Sequence, residues 1–265
     1  MHELSMPNPF GAPLYHLETV SSTMEESRAL ALQGLPHGTV ITADFQEQGR
    51  GRTRGRSWKG KRGENLFFTI LLRYPGFSAL PKALTLRAGL AVSLAIEDFI
   101  EDLGGSMGQS PALRIKWPND IMIGPKKTAG ILTEGDGKIL YIGIGVNIAQ
   151  TEFPLEIQTK ATSIALALAS CNAPAPEDRF RLLEKILAQL FQELEKTTGQ
   201  WRIQVEERLY MKDRHVRFIA GESDSGNIIE GKLHGIGPAG ELLLVQTEHP
   251  KAFITGELDV YRDSE

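Results

Sequence analysis

Between Leu113 and Asn147 the chain alternates short β-branched runs with strong turn signals, and this stretch restricts the possible folds more than any other. Leu113 to Trp117, Asp120 to Ile123, Thr128 to Glu134 and Ile139 to Val146 each have the length and composition of a strand. The breaks are Pro118-Asn119-Asp120, Gly124-Pro125 and Gly135-Asp136-Gly137, all tight-turn chemistry. Such a run is an antiparallel meander. From about Pro81 to Leu103 apolar residues recur at helical spacing, so a long helix should lie over the sheet. Glu97, Asp98, Glu101 and Asp102 gather at its end, where the helix dipole disfavours negative charge.

The flanking segments extend this picture. After the Pro-rich start, Ser22-Thr23-Met24-Glu25 reads as a capping box, opening a helix that Gly34 and Pro36 stop near Gln33. Thr39 to Ala43 and Leu66 to Leu72 read as strands, separated by a long glycine-and-arginine loop. A helix over Glu177 to Lys196 has one apolar stripe, and Trp201 to Leu209 suggests a shorter one. From Val216 the pattern changes to short alternating strands with glycine turns, the mark of a small β barrel. The expected class is α+β: a mixed or antiparallel sheet with helices packed on one side over residues 1–212, then the small barrel over 213–265.

Composition narrows the function. The 265 residues carry 29 Lys+Arg against 33 Asp+Glu, a formal net charge of −4, which excludes a surface built throughout to bind nucleic acid. Any basic patch must be local. The single Cys171 can form no internal disulfide, which fits a reducing compartment. Met1 to Ser5 show neither a basic leader nor an apolar core, and no apolar run approaches the ~20 residues of a membrane helix, so the expected location is cytoplasmic.

The local patch is conspicuous. Gln46-Glu47-Gln48-Gly49-Arg50-Gly51-Arg52-Thr53-Arg54-Gly55-Arg56-Ser57-Trp58 runs on to Lys59, Lys61 and Arg62, with seven cations between Arg50 and Arg62. As a charge run it reads first as a solvated loop or a nonspecific nucleic-acid patch. Interleaved glycines argue for a sharper role, because they let the main chain approach a ligand so that N–H groups and guanidinium forks surround a polyanion. The loop is neither a Walker A sequence nor a dinucleotide fingerprint, since the spacing fits neither. Three further strings are candidates for chemistry, each with a plainer structural reading: a good turn, a hairpin-edge lysine that prevents aggregation, and strand glycines that mark a bulge. Arg114-Ile115-Lys116-Trp117-Pro118-Asn119-Asp120 brings a cation, an aromatic plane and a carboxylate close together around a turn. Lys127-Thr128-Ala129-Gly130-Ile131-Leu132 places a lysine at the mouth of a strand with small residues beside it, and Gly143-Ile144-Gly145-Val146-Asn147 puts two glycines on one strand face.

In this order and with these strings the chain resembles the biotin protein ligases, from Ser22 to about Asn147 through the motifs and more loosely through the C-terminal barrel, which the resemblance makes SH3-like. The resemblance implies ATP and biotin as substrates, with Mg2+, a biotinyl-5′-adenylate intermediate, and transfer to a lysine on the biotin carboxyl carrier domain of a carboxylase. It further implies that Ser22, Thr23, Gln46 and Arg50 hold the ureido ring, with Gly49 and Gly51 in the same biotin-binding set. Gly143 and Gly145 would pack on the bicycle and Gly130 beside its tail. Arg52 and Lys127 would meet the carboxylate and the new anhydride; Trp58 would close the loop; Lys116, Arg56 and Asn147 would face the nucleotide; Asp120 would organise the site. No protein-bound metal is implied.

Two departures stand out. Many relatives have Gly-Arg-Gly-Arg-x-Gly-Arg-x-Trp, whereas Thr53-Arg54 places one more residue before Gly55, and the family's frequent Asn after Ser-Thr is Met24. With Ser22-Thr23 so near the start, the resemblance points to the monofunctional form without an N-terminal DNA-binding domain, and no DNA or membrane partner is expected. An exposed sheet edge could make a homodimer or pair only with the carrier domain. Lipoate or octanoate ligases and transferases share the fold and are the alternative, and a nucleic-acid-binding module is the alternative of a different class. A transferase would need a nucleophilic Cys in the pocket, and Cys171 falls in a linker instead.

Overall fold

The computed structural model describes all residues except 54, 59, 106–112, 136, 196–198, 222–226 and 260–265. Arg54, Lys59, Asp136 and Lys196 of the expectations above therefore lie outside the described residues. The larger sheet has eight strands: β1 (His2–Glu3), β2 (Leu14–Val20), β3 (Thr39–Gln46), β4 (Asn65–Arg73), β5 (Leu113–Lys116), β6 (Asp120–Ile123), β7 (Lys126–Gly135) and β8 (Ile139–Asn147). Their order is β1-β2-β3-β4-β8-β7-β6-β5. Only β2 and β3 run parallel, joined through α1 (Thr23–Leu32). The meander from Leu113 is as expected, whereas β1 and β2 fall in the Pro-rich start where no strand was expected.

Side-chain alternation divides this sheet into two unlike faces. On β4, Leu66, Phe68, Ile70 and Leu72 join the main core with α2 (Leu84–Asp102) and α4 (Arg179–Glu195). Leu71 points the other way, into a small cluster with Met24, Ala31 and Tyr141 beneath α1. The mixed sheet with helices is the expected class, but the expectation that helices pack on one side is corrected: α1 lies on the face opposite α2 and α4. Two runs of apolar residues alternating out of phase on one strand are the cause, because each face needs cover. The acidic end of α2 is also accounted for. Lys185 of α4 reaches Asp98 at 2.6 Å and Asp102 at 2.9 Å, and Arg181 reaches Asp102 at 3.4 Å, so cations from a neighbouring helix offset the unfavourable dipole.

Helix α3 (Ile164–Ser170) was not foreseen; Ser163 caps it, and Cys171 is its exposed C-terminal cap rather than a linker residue. Helix α5 (Trp201–Glu207) leads into a second, antiparallel sheet. Its strands are β9 (His215–Ala220), β10 (Asn227–Ile236), β11 (Leu242–Val245), β12 (Pro250–Phe253) and β13 (Gly256–Leu258), in the order β12-β11-β10-β9-β13. Val216, Phe218, Leu233, Leu242 and Leu258 belong to the same buried cluster as Trp117 and the α2 face, so the smaller sheet shares the main core. Trp117 is one of the joints. Its ring packs on Phe218 with centroids 5.9 Å apart, and its Nε1 donates to the Gly240 carbonyl at 3.0 Å. The aromatic plane expected beside Lys116 is thus an anchor, preceding a cis peptide bond to Pro118.

Candidate active site

The α1 face of the sheet is covered by that helix at one end only. Beyond its N-terminus three glycines leave the face bare: Gly143 and Gly145 on β8, and Gly130 on β7 directly paired with Gly145. Any Cβ at Gly145 would sit 2.8 Å from the indole of Trp58, and one at Gly130 would sit 2.7 Å from it. The floor is therefore flat because a ring lies on it. At Gly143 the occupant is the Met24 methyl group, 2.9 Å from where a Cβ would stand. Met24 thus supplies an apolar wall where the resemblance leads us to expect an Asn.

The wall opposite is hydrogen-bonding. Ser22 is the N-cap of α1, its Oγ accepting the Glu25 N–H at 3.1 Å, so its place is fixed by the start of the helix. Glu25, the other half of the expected capping box, is paired with Arg50. Gln46, the last residue of β3, turns its Oε1 to accept the Thr23 N–H at 2.8 Å and the Thr23 hydroxyl at 3.1 Å. Thr69 of β4 lies beneath, donating to Thr23 Oγ1 at 2.9 Å. Ser22, Thr23, Met24, Gln46, Arg50, Gly51, Arg52, Thr69 and the glycine floor line one cavity, with about 70 Å³ free beside the Trp58 ring.

The arginine loop folds as a hairpin over this cavity. Arg50 bridges Ser57, Gly51 N–H donates to the Arg56 carbonyl at 2.9 Å, and Trp58 N–H donates to the Gly49 carbonyl at 2.8 Å. Gly49 is in the stem of that hairpin, where a Cβ would meet the Trp58 carbonyl oxygen at 2.6 Å, and it does not line the cavity. In the structure the glycine is required by the close passage of two backbones. Each described cation of the loop is held by another part of the chain. Arg52 donates to the Gly256 carbonyl at 2.9 Å, Arg56 to Glu257 at 2.8 Å, Lys61 to Glu152 at 2.8 Å, and Arg62 to the Glu18 carbonyl at 2.8 Å.

Past Trp58 a second chamber of about 180 Å³ opens, lined by Arg56, Lys116, Asp120, Lys127, Asn147, Phe153, Ile157 and Glu257, among others. Lys127 stands between the chambers. Its Nζ is 2.6 Å from Asp120 Oδ1 and 5.0 Å from the centre of the Trp58 ring. Asp120 and Lys127 come together because Asp120 pairs with Gly130 across β6 and β7, three residues from the lysine. Lys116 is 2% exposed, and burial holds its ammonium below the ordinary lysine value of 10.5 despite the neighbouring Asp120 and Glu257 carboxylates. Asn147 Nδ2 donates to the Thr162 carbonyl at 2.9 Å, which orients its amide from behind.

Apart from Gly49, all the sequence-predicted site residues lie around these two chambers. Sequence reasoning missed Glu257, Thr69 and the Phe153–Ile157 wall. Glu257 of β13, in the smaller sheet, enters the second chamber, with Lys116 Nζ 3.7 Å away. A lone Gly-Glu-Leu carries no signal for that. Thr69 was detectable as a polar residue in an otherwise apolar strand. Cys171 lines neither chamber.

A glycine-floored chamber with hydrogen-bonding walls, joined through a lysine to a cationic one, suits a reaction between a small polar-headed carboxylic acid and an anionic nucleotide. The profile of the Biotin/lipoate A/B protein ligase family matches residues 17–148. The chain is 33% identical over 178 residues to the biotin–(acetyl-CoA-carboxylase) ligase of Paracoccus denitrificans, covering 65% of this chain and 70% of that protein. It is 36% identical over 158 residues to the bifunctional ligase/repressor BirA of Bacillus subtilis, 57% of this chain and 45% of the relative. The match thus spans about half the length of such Bacillus relatives (45% and 46%). The biotin protein ligase of Aquifex aeolicus, solved with biotin and ATP, superposes with a TM-score of 0.74 at 30% identity, over 92% of this chain and 97% of that one. The chain belongs to the biotin/lipoate A/B protein ligase family.

Proposed function

We propose that the protein joins biotin to a lysine of a biotin carboxyl carrier domain in two steps. In the first, a biotin carboxylate oxygen bonds to the α-phosphorus of Mg-ATP and the bond to pyrophosphate breaks, giving biotinyl-5′-adenylate. In the second, the acceptor amine bonds to the carbonyl carbon, and AMP leaves with the electron pair of the broken anhydride bond. The observation that carries this reading is the position of Lys127 at the junction of the two chambers, with Asp120 fixing it and Trp58 beneath it.

The chambers divide the work. Thr23, Gln46, Ser22 and Arg50 hold the ureido ring over the glycine floor once the Trp58 indole has swung off it, with Gly51 at the edge. Arg52 and Lys127 receive the carboxylate and neutralise charge as it develops on the α-phosphate. Lys116, Arg56 and Asn147 face the nucleotide. Mg2+ enters with the nucleotide and is bound mainly by its phosphates, as suits an ion that keeps most of its waters. Among the described residues there is no group of three or more His, Cys, Asp or Glu side chains placed to hold a metal. Closure of the loop over the adenylate shields the anhydride from water. Residues 1–212 supply this chemistry, and 213–265 contribute Glu257 to the nucleotide side.

Biotin-dependent exchange of labelled pyrophosphate into ATP tests the reading, with lipoate and octanoate as controls. Exchange with biotin alone is expected, followed by a gain of one biotin in the mass of a carrier domain. Exchange only with lipoate or octanoate would instead assign the other branch of the family, and salt-dependent binding to nucleic acid with no exchange would refute both.

A further inference from the structure

The ring chamber contains a hydroxyl for which the mechanism above has no use. Thr69 is fully buried on β4, directly across from Gly143. Its Oγ1 donates to Thr23 Oγ1 at 2.9 Å. A hydroxyl has a single proton, so Thr23, once it accepts from Thr69, turns its own proton to Gln46 Oε1 at 3.1 Å. That oxygen also takes the Thr23 N–H at 2.8 Å. Two donors on one oxygen settle which way round the amide stands.

We propose that Thr69 is a positioning residue that sets the hydrogen-bond polarity of the ring chamber. Through it, Thr23 Oγ1 keeps a lone pair for an incoming donor, and Gln46 presents Nε2 as a donor to an incoming carbonyl. That pair of preferences is complementary to one edge of a cyclic urea, which carries N–H beside C=O, and to no edge of an alkyl chain. Without Thr69 the Thr23 oxygen loses its buried donor and the hydroxyl is held by Gln46 alone, free to turn its proton towards the ligand, so the chamber loses one reason to hold a single polarity. The inference rests on the biotin reading above.

The test uses the full chain with Thr69→Val, which keeps the β-branched shape, and Thr69→Ser, which keeps the hydroxyl. In pyrophosphate exchange, Thr69→Val is expected to raise the KM for biotin about 3- to 10-fold, the worth of one hydrogen bond, with kcat and the KM for ATP unchanged. Thr69→Ser should restore the parent KM. In a Thr23→Ala background, Thr69→Val should add nothing, because its route to the ligand is already cut. Thr69→Ala is expected to repeat the result should valine pack poorly. An unchanged biotin KM in both hydroxyl-free variants would overturn the proposal, as would an equal rise in the Thr23→Ala background. A parent protein with no biotin-dependent exchange would overturn the underlying reading, whereas an active parent with indifferent Thr69 variants overturns only this one.

Discussion

The ring chamber and the nucleotide chamber adjoin, yet they are built differently. The first is made from regular elements: a helix cap at Ser22, the end of β3 at Gln46, and glycines paired across β7 and β8. Its polar groups are held by short hydrogen bonds within the sheet and helix. The second is assembled from a hairpin loop, a turn and a strand of the smaller sheet, and its cations are held by carboxylates, Arg56 by Glu257 and Lys127 by Asp120. A ligand for the first chamber meets hydrogen-bonding groups already in register, and has only the Trp58 indole to displace from the glycine floor. A polyphosphate in the second must exchange with carboxylates already on those cations, so binding there is coupled to rearrangement of the loop.

The largest test of this contrast is at the junction. Lys127→Gln should lower kcat/KM in pyrophosphate exchange by about 10²–10³-fold, the usual cost of removing a group that meets developing charge. A change of less than tenfold would move that role elsewhere. Next comes the loop. Arg52→Gly removes a charged hydrogen bond to the Gly256 carbonyl and should let biotinyl-adenylate escape about tenfold faster, read as acceptor-independent labelling of bystander proteins. Retention equal to the parent would show that Arg52 has no part in closure.

Proton linkage separates the chambers at smaller amplitude. Burial lowers the Lys116 pKa from 10.5, so the folded protein sheds this proton before the unfolded chain does. Its charged form opposes folding at neutral pH, and that opposition is relieved as pH rises from the lowered value towards 10.5. The same deprotonation removes a cation from the nucleotide chamber. Over that alkaline window the KM for ATP should rise in the parent, and a Lys116→Gln variant should lack this step. The smallest effect is on the rigid side: Ser22→Ala deletes a helix cap worth about 1 kcal/mol, so a melting temperature about 2–4 °C lower is expected by calorimetry.

The difference in construction also explains what could be read in advance. The meander, the long helix and the glycine floor follow from local rules, because turn residues and strand periodicity leave a mark in sequence wherever they occur. The closeness of Lys116 and Asp120 is local too, whereas the site roles of those two and of Lys127 were read from the resemblance of their motifs to the biotin protein ligases. Glu257 joins Arg56 across 201 positions of sequence, and nothing local announces such a meeting. Gly49 shows another limit: its conformational need was legible, but not that the close neighbour setting it is the Trp58 backbone. The placement of α1 was hidden for a similar reason, since β4 is apolar at almost every position and its two phases, Leu66-Phe68-Ile70-Leu72 and Leu71, look alike until each has a partner.

The central claim is that the two chambers bind their ligands on separate groups and meet at Lys127. Calorimetric titration of biotin and, separately, of Mg-ATP into the parent and the Lys116→Gln variant addresses it directly. The account predicts about tenfold or greater weakening of Mg-ATP, from the loss of a charge-assisted contact to phosphate, with the biotin affinity unchanged. Equal weakening of both ligands would contradict it.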